Sequence, residues 1–241
     1  MREEGCLSAM IKLTISNSYF GYALVLFTLF FSALAKTNNL SSLSTEELQQ
    51  QFIHLKNADK VQAMKVAHIL KPRIIEQREQ LLTLLLDMAG LELSQNRIKQ
   101  TLSYANEALE IAEQIQNKPR QATALNFLGN SYYFQGDFEQ AILMHEKALA
   151  MRQSLMLIKE VGDSHNNLAL CFTQLGRKDK TLEHYQQAFE IYSELGLHHD
   201  RGDVMANIAG LYSQLKQYDL ALQYYFDALA IFEKFSLVKS S

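Results

Sequence analysis

The chain has 241 residues, 48% of them hydrophobic and 20% charged, with two prolines, ten glycines and no tryptophan. So few breakers in an otherwise ordinary composition point to helices joined by short turns. A net charge of −3 and a pI near 6.2 leave no cationic surplus to neutralise phosphates, so nucleic acid is not expected as a partner.

In chain order, the first distinct segment is Tyr19–Ala35, "YFGYALVLFTLFFSALA", 17 residues without a charge. A membrane-spanning helix needs about 20 apolar residues, so this run is short for a span. It suits the apolar core of an export signal and ends in Ala33-Leu34-Ala35, the small-x-small pattern at which signal peptidase cuts. Glu3 and Glu4 fit badly in a basic leader, whereas translation from Met10 supplies Lys12 and no acid. The expectation is a signal over residues 1–35, starting at Met10 and cleaved after Ala35, with an uncleaved membrane anchor as the alternative. Cys6 then falls outside the mature chain, and Cys171 has no intramolecular disulfide partner.

Residues 36–71 read as a helical cap built from a degenerate helix pair. Ser44 and Glu47 have capping-box spacing. The helical pattern continues through "NADKVQAMKVAHILKP" to Pro72.

From there the chain repeats itself every 40 residues. "LLDMAGLELSQNRIKQTLSYANEALEI" (85–111), "LNFLGNSYYFQGDFEQAILMHEKALAM" (125–151), "HNNLALCFTQLGRKDKTLEHYQQAFEI" (165–191) and "MANIAGLYSQLKQYDLALQYYFDALAI" (205–231) align without a gap. Such periodicity names the architecture before any local motif does. Small residues recur at Ala89, Gly129, Ala169 and Ala209, and at Ala108, Ala148, Ala188 and Ala228. Thr101, Ala141, Thr181 and Ala221 form a third small-residue row. Large residues fill the gaps at Leu128, Leu168 and Ile208, at Tyr132, Phe172 and Tyr212, and at Leu109, Leu149, Phe189 and Leu229. The predicted helix pairs are 73–94 with 97–116, 119–135 with 138–157, 160–175 with 178–195, and 200–215 with 218–236. They define repeats over 72–118, 119–158, 159–198 and 199–241. Gly136 and Gly176 suit the left-handed residue that ends a helix; Asn96 and Lys216 stand at the same place in the outer copies.

The last copy stops straight after its second helix. Either Phe226, Ala230 and Phe235 pack without a further solvating helix, or the chain is a piece of something longer.

The pattern resembles the tetratricopeptide repeat (TPR). Leu128, Gly129, Tyr132, Gly136, Phe138, Ala141 and Ala148 fall on its signature spacing, and the resemblance covers residues 73–241. The period here is 40 rather than the usual 34, and the proline near the end of each repeat is missing. The extra length goes into the helices or into the links between repeats. This long-period form is similar to the repeats of kinesin light chains and of the extracytoplasmic regions of bacterial sensor proteins. The resemblance implies an all-α fold, an α-α superhelix (solenoid) of helical hairpins wound right-handed. It also implies a non-catalytic role, with a protein or peptide partner held in a concave groove.

In the kinesin-light-chain-like repeats that Asn166-Asn167-Leu168-Ala169 resembles, asparagines of the first helix line the groove and hydrogen-bond the backbone of a bound peptide. Carried onto this chain, the groove residues are Asn126, Asn130, Asn166, Asn167 and Asn207. An amide offers both donor and acceptor, which an extended backbone needs. The plainer alternative is that some are merely solvent-facing polar residues.

Other candidates have simpler readings. His198, His199 and Asp200 sit in the expected link "LGLHHDRGD" and do not supply the spaced ligand set of a metal site. Arg201-Gly202-Asp203 matches Val161-Gly162-Asp163 one repeat earlier, so Gly-Asp reads as a helix-start feature. His145 and His184 occupy repeat positions and read as packing residues. Cys171 lies at a mixed position with no activating partner in sequence. With no phosphate loop, HExxH or GxSxG, neither catalysis nor a metal or cofactor is expected. The export signal and the long-period repeats together suggest the sensor part of a membrane-bound signalling protein, of histidine kinase or diguanylate cyclase type. The alternatives are a stand-alone periplasmic adaptor and a scaffold self-associating through its uncapped last repeat.

Overall fold

Apolar side chains recurring at helical spacing, broken only by short turns, leave the backbone no partner but its own helix ladder. The computed structural model describes residues 40–236, so Cys6 and the expected export signal lie outside the described residues. Ten α-helices and two short 3-10 turns make up that stretch, which divides into two compact units at Ile74.

The first unit is the helix pair expected over 44–71. Helix α1 (Thr45–Ala58) starts with the anticipated capping box. The Glu47 N–H donates to Ser44 Oγ at 3.2 Å, and the Ser44 N–H to Glu47 Oε2 at 2.9 Å. Asp59 then interrupts the helical run. Its carboxylate accepts from the Val61 and Gln62 N–H groups and so begins α2 (Lys60–Leu70). Leu48 and Phe52 on α1, and Ala63, Met64, Val66, Ala67 and Leu70 on α2, are buried. The Arg73 guanidinium donates to the carbonyls of Leu43 and Ser41, tying the end of this unit to its beginning. Pro72 lies in the 3-10 turn Lys71–Ile74, so the next helix starts at Arg78 rather than at 73.

The second unit holds four hairpins: α3 (Arg78–Ser94) with α4 (Ile98–Gln114), α5 (Lys118–Gln135) with α6 (Phe138–Ser154), α7 (Ile158–Gln174) with α8 (Lys178–Glu194), and α9 (His198–Gln214) with α10 (Tyr218–Ser236). Helix starts recur every 20 residues, so the turn within a hairpin and the turn between hairpins are the same structure. Seven residues at that interval take a left-handed φ: Asn96, Gln116, Gly136, Met156, Gly176, Gly196 and Lys216. After each, the next N–H reaches back to a carbonyl in the last helical turn, from Arg97 to Glu92 through to Gln217 to Tyr212, at 2.8–3.0 Å. This is the Schellman closure, repeated seven times. The links are therefore short, and the residues beyond a 34-residue period lengthen the helices. It also moves His198, His199 and Asp200 out of a link and into the first turn of α9.

The small-residue rows sit where backbones approach. Ala89, Gly129, Ala169 and Ala209 on the first helices are buried, as are Ala108, Ala148, Ala188 and Ala228 on the second. At Gly129 the closeness is extreme: a Cβ there would lie 2.6–2.7 Å from the His145 imidazole of α6. Gly162 and Gly202 are likewise pressed by Tyr192 and Phe232. They belong to the second turns of α7 and α9 and act by closeness of packing, not as helix starts. The fold is all-α, a solenoid of TPR-type hairpins. Among the described residues no helix is long and apolar enough to cross a membrane.

Candidate functional site

The first helices α5, α7 and α9 stand side by side, each offset by one repeat. Asparagines at equivalent positions meet across them. Asn167 Nδ2 donates to Asn126 Oδ1 at 3.0 Å, and Asn207 Nδ2 donates to Asn166 Oδ1 at 3.2 Å. Gln174 and the Tyr133 hydroxyl form a third rung at 3.4 Å. In each asparagine rung, one amide spends its NH2 and the other its carbonyl. The complementary group of each side chain stays available for a ligand. Toward α3 the row changes character. Phe127 stands in the position of Asn167, and its ring lies 3.4 Å from where a Cβ on Gly90 would be.

Beside the rungs opens a cleft of about 260 Å³, lined by Asn126, Asn166, Asn167, Asp163, Asp200, Asp203 and Tyr192. Four of the five expected asparagines are thus brought together, three in the cleft and Asn207 through its bond to Asn166. Asn130, one turn further along α5, is half-buried and does not line the cleft.

Asp163 is the hub of the acidic side. Its Oδ1 accepts from the Tyr192 hydroxyl at 2.8 Å, and both carboxylate oxygens accept from Lys159 Nζ at 2.8 and 2.9 Å. The same ammonium lies 3.8 Å from Asp200. Burial works against the charge on Lys159, but its hydrogen bond and attraction to Asp163 outweigh burial and hold its pKa above the usual lysine value. Burial and the Asp163 charge raise the Tyr192 phenol, so it stays a donor. Burial also raises the Asp203 carboxyl; His199 opposes this and the Asp200 charge adds to it. Behind the cleft, Arg152 on α6 is buried and donates to the Glu160 carbonyl at 3.0 Å and to Ser164 Oγ at 2.6 Å. It fastens the second hairpin to the third.

The remaining singled-out groups are packing residues. His198 stacks on Phe235, with ring centroids 3.6 Å apart, and His199 lies against Phe232. Among the described residues no group of three or more His, Cys, Asp or Glu side chains is placed to hold a metal ion. Cys171 is fully buried, and burial pushes its thiol up to about 12, which leaves little thiolate. His145 is buried under Gly129 with Nδ1 unpartnered, and burial, with Arg152 adding, lowers it to about 4. His184 Nδ1 meets His165 Nδ1 at 2.9 Å and stacks on Phe172.

Tyr192 and the three aspartates are the residues sequence reasoning missed. The recurrence of Asp163 at Asp203 was a usable signal, but it pointed equally well to helix capping.

A family model, the tetratricopeptide repeat, matches residues 80–154 and 160–234. The chain belongs to the tetratricopeptide repeat family. Among solved structures, the apo form of RapI is 16% identical with a TM-score of 0.70, over 80% of this chain and 71% of that one. Kinesin-light-chain-type, nearly identical TPR-like repeats from Podosopora anserina are 13% identical with a TM-score of 0.63, over 79% of this chain and 95% of theirs. A Rap protein in complex with Competence and Sporulation Factor is 17% identical with a TM-score of 0.53, over 81% of this chain and 66% of that one. At such identities the likeness is one of fold. No curated protein matches the chain. The TPR fold is typically non-catalytic, and membership makes this chain a helical-repeat protein of the kind that mediates protein interactions.

Proposed function

We propose that this TPR array is a non-catalytic module that holds an extended peptide segment of a protein partner along α5, α7 and α9. The asparagine rungs carry the reading. They put unspent amide donors and acceptors beside an open cleft, which an extended backbone can use on both its edges. Asp163, Asp200 and Asp203, the first two bridged by Lys159, favour a segment that brings a lysine or arginine side chain to the cleft. The solved Rap structure holding a named factor offers a precedent within the fold.

The test is selection from a random peptide library on the intact chain, followed by titration of the selected peptides. Enrichment in lysine or arginine is expected. The Asn167→Ala, Asn207→Ala double variant should bind the same peptides at least about tenfold more weakly, one to two lost hydrogen bonds. Circular dichroism should show an unchanged fold. Normal binding by that variant would overturn the groove reading.

The module is further proposed to act outside the cytoplasmic membrane, as the sensor part of a membrane-bound signalling protein of histidine kinase or diguanylate cyclase type. The apolar run Tyr19–Ala35 and the long repeat period support this placement. A stand-alone periplasmic adaptor is the simpler form of the same proposal. The mass of the mature protein decides its first step: an N-terminus at Lys36 is expected, and one at Met1 or Met10 sinks the cleavage. Self-association is a second reading, favoured by the exposed apolar side chains of α10.

A further inference from the structure

One position on the first helix of each hairpin and one on the second hold a large side chain without a nitrogen in three of the four repeats. They are Leu85 and Tyr104 in the first hairpin, Leu125 and Met144 in the second, and Met205 and Tyr224 in the fourth. In the third hairpin both change together, to His165 on α7 and His184 on α8. Packing asks for an imidazole at neither place, since the other hairpins close without one.

The two rings meet nitrogen to nitrogen. Their Nδ1 atoms lie 2.9 Å apart and their centroids 5.2 Å apart. His184 is held in place by Phe172, on which it stacks at 5.3 Å. A neutral pair can share one proton across this gap, and the gap also fits a metal ion. Two imidazole nitrogens at neighbouring corners of a square-planar ion, each about 2.0 Å from it, stand about 2.8 Å apart. Around a tetrahedral ion they stand about 3.3 Å apart, which the present pair reaches by opening about 0.4 Å.

The surrounding charges suit a cation. Glu183 on α8 and Glu146 on α6 attract positive charge at His184, and Glu183 does so at His165. Neither carboxylate is spent on a hydrogen bond or salt bridge of its own among the described residues. Lys180 opposes them at His184; its ammonium sits over the Phe172 ring, 5.0 Å from the centroid. A closed structural site would need four protein ligands. The described residues place no third ligand here. Both histidines are half-buried rather than sealed, so water can complete the shell.

We infer that His165 and His184 form an open site for a divalent transition-metal ion of the copper, nickel and zinc group, held by the two Nδ1 atoms with water in its other positions. Copper binds tightest, in the usual order of affinities. The ion fastens α7 to α8 in the hairpin that also carries Asn166 and Asn167, and it needs no peptide in the groove.

Titration of the untagged full chain with Cu²⁺, Ni²⁺ and Zn²⁺ tests it. One equivalent of Cu²⁺ should bind, and its electron paramagnetic resonance should show two imidazole nitrogens. At ten times its dissociation constant each ion should raise the thermal midpoint by about 3–5 °C. His165→Leu and His184→Met install the residues of the second hairpin, so the fold should survive, and circular dichroism checks that. Each should weaken binding at least about tenfold and leave one nitrogen at most on the copper. His199→Ala, outside the pair, should bind as the unmodified chain does. No saturable binding, binding left intact by His165→Leu and His184→Met, or binding lost in His199→Ala instead would each overturn the inference. If both variants of the pair unfold, the unmodified chain still decides: a copper spectrum without two imidazole nitrogens overturns it.

Discussion

Replacing Gly129 by alanine is expected to lower the thermal midpoint by roughly 5 °C, an overpacking cost of about 1–3 kcal/mol. The added methyl would enter the space of the His145 ring, whose Cε1, Nδ1 and Nε2 all lie within 2.7 Å of the position it would take. The ring cannot retreat freely, because it is itself almost wholly buried between α5 and α6. The effect should depend on that ring. In a His145→Ala background the same glycine substitution should cost much less, since the space is then empty. Thermal unfolding of the two single variants and the double measures the coupling. Additive losses would mean that Gly129 is needed for some other reason, such as the course of the helix backbone.

Acidification is expected to remove about 2 kcal/mol of stability between pH 7.5 and pH 5 through His145 alone. In the unfolded chain this histidine titrates near 6.5; in the folded chain burial, reinforced by the Arg152 charge, holds it at about 4. Between those values the unfolded state binds the extra proton. Stability is therefore fully present above pH 6.5, falls as the pH drops, and stops falling below about 4. His165 acts in the same direction, lowered to about 4 by burial and then by His184, and burial lowers His184 as well. Protonating both would also replace the hydrogen bond between them by repulsion. Their share is smaller, because both are half-exposed and water screens the charge. Urea unfolding at pH 7.5 and pH 5 is the measurement, with His145→Gln as the control that cannot titrate in this window. The variant should lose most of the pH dependence ascribed to His145. A wild-type stability equal at the two pH values would contradict the buried, neutral state. Restricting the comparison to pH 5 and above keeps most carboxylates out of it.

The two effects share a cause. A histidine lies where the equivalent positions hold Ala105, Tyr185 and Tyr225, and a glycine opposite makes room for it. The repeat alignment identifies His145 as a packing position. It does not pair it with Gly129, because that pairing comes from how α5 lies against α6.

Helix ends were legible only in part, for a definite reason. Asn96, Gly136, Gly176 and Lys216 could be placed at left-handed turns because two are glycines and the others align with them. Gln116 and Met156 take the same conformation, with φ of 56° and 55°, and nothing about their side chains announces it. Helices α7 and α9 begin at Ile158 and His198 with no side-chain cap, so their starts left no residue signature. That is why His198 was expected outside the helix that contains it.

Periodicity is a property of the chain alone, and it was enough to determine the class of fold, the number of hairpins, the small-residue rows and the shared position of Asn167 and Asn207. Each of these follows from which side chains recur at which spacing, because a helix exposes the same face every few residues. The sequence could not decide which side chains meet across neighbouring helices. Asn167 bonds Asn126, and Asn207 bonds Asn166, 41 residues back rather than 40. That offset of one residue comes from the angle at which one hairpin stacks on the next. The same stacking draws Tyr192, Asp163, Asp200 and Asp203, scattered over two hairpins, into one cleft. It leaves Leu222 and Leu229 open on α10 while half-burying their counterparts.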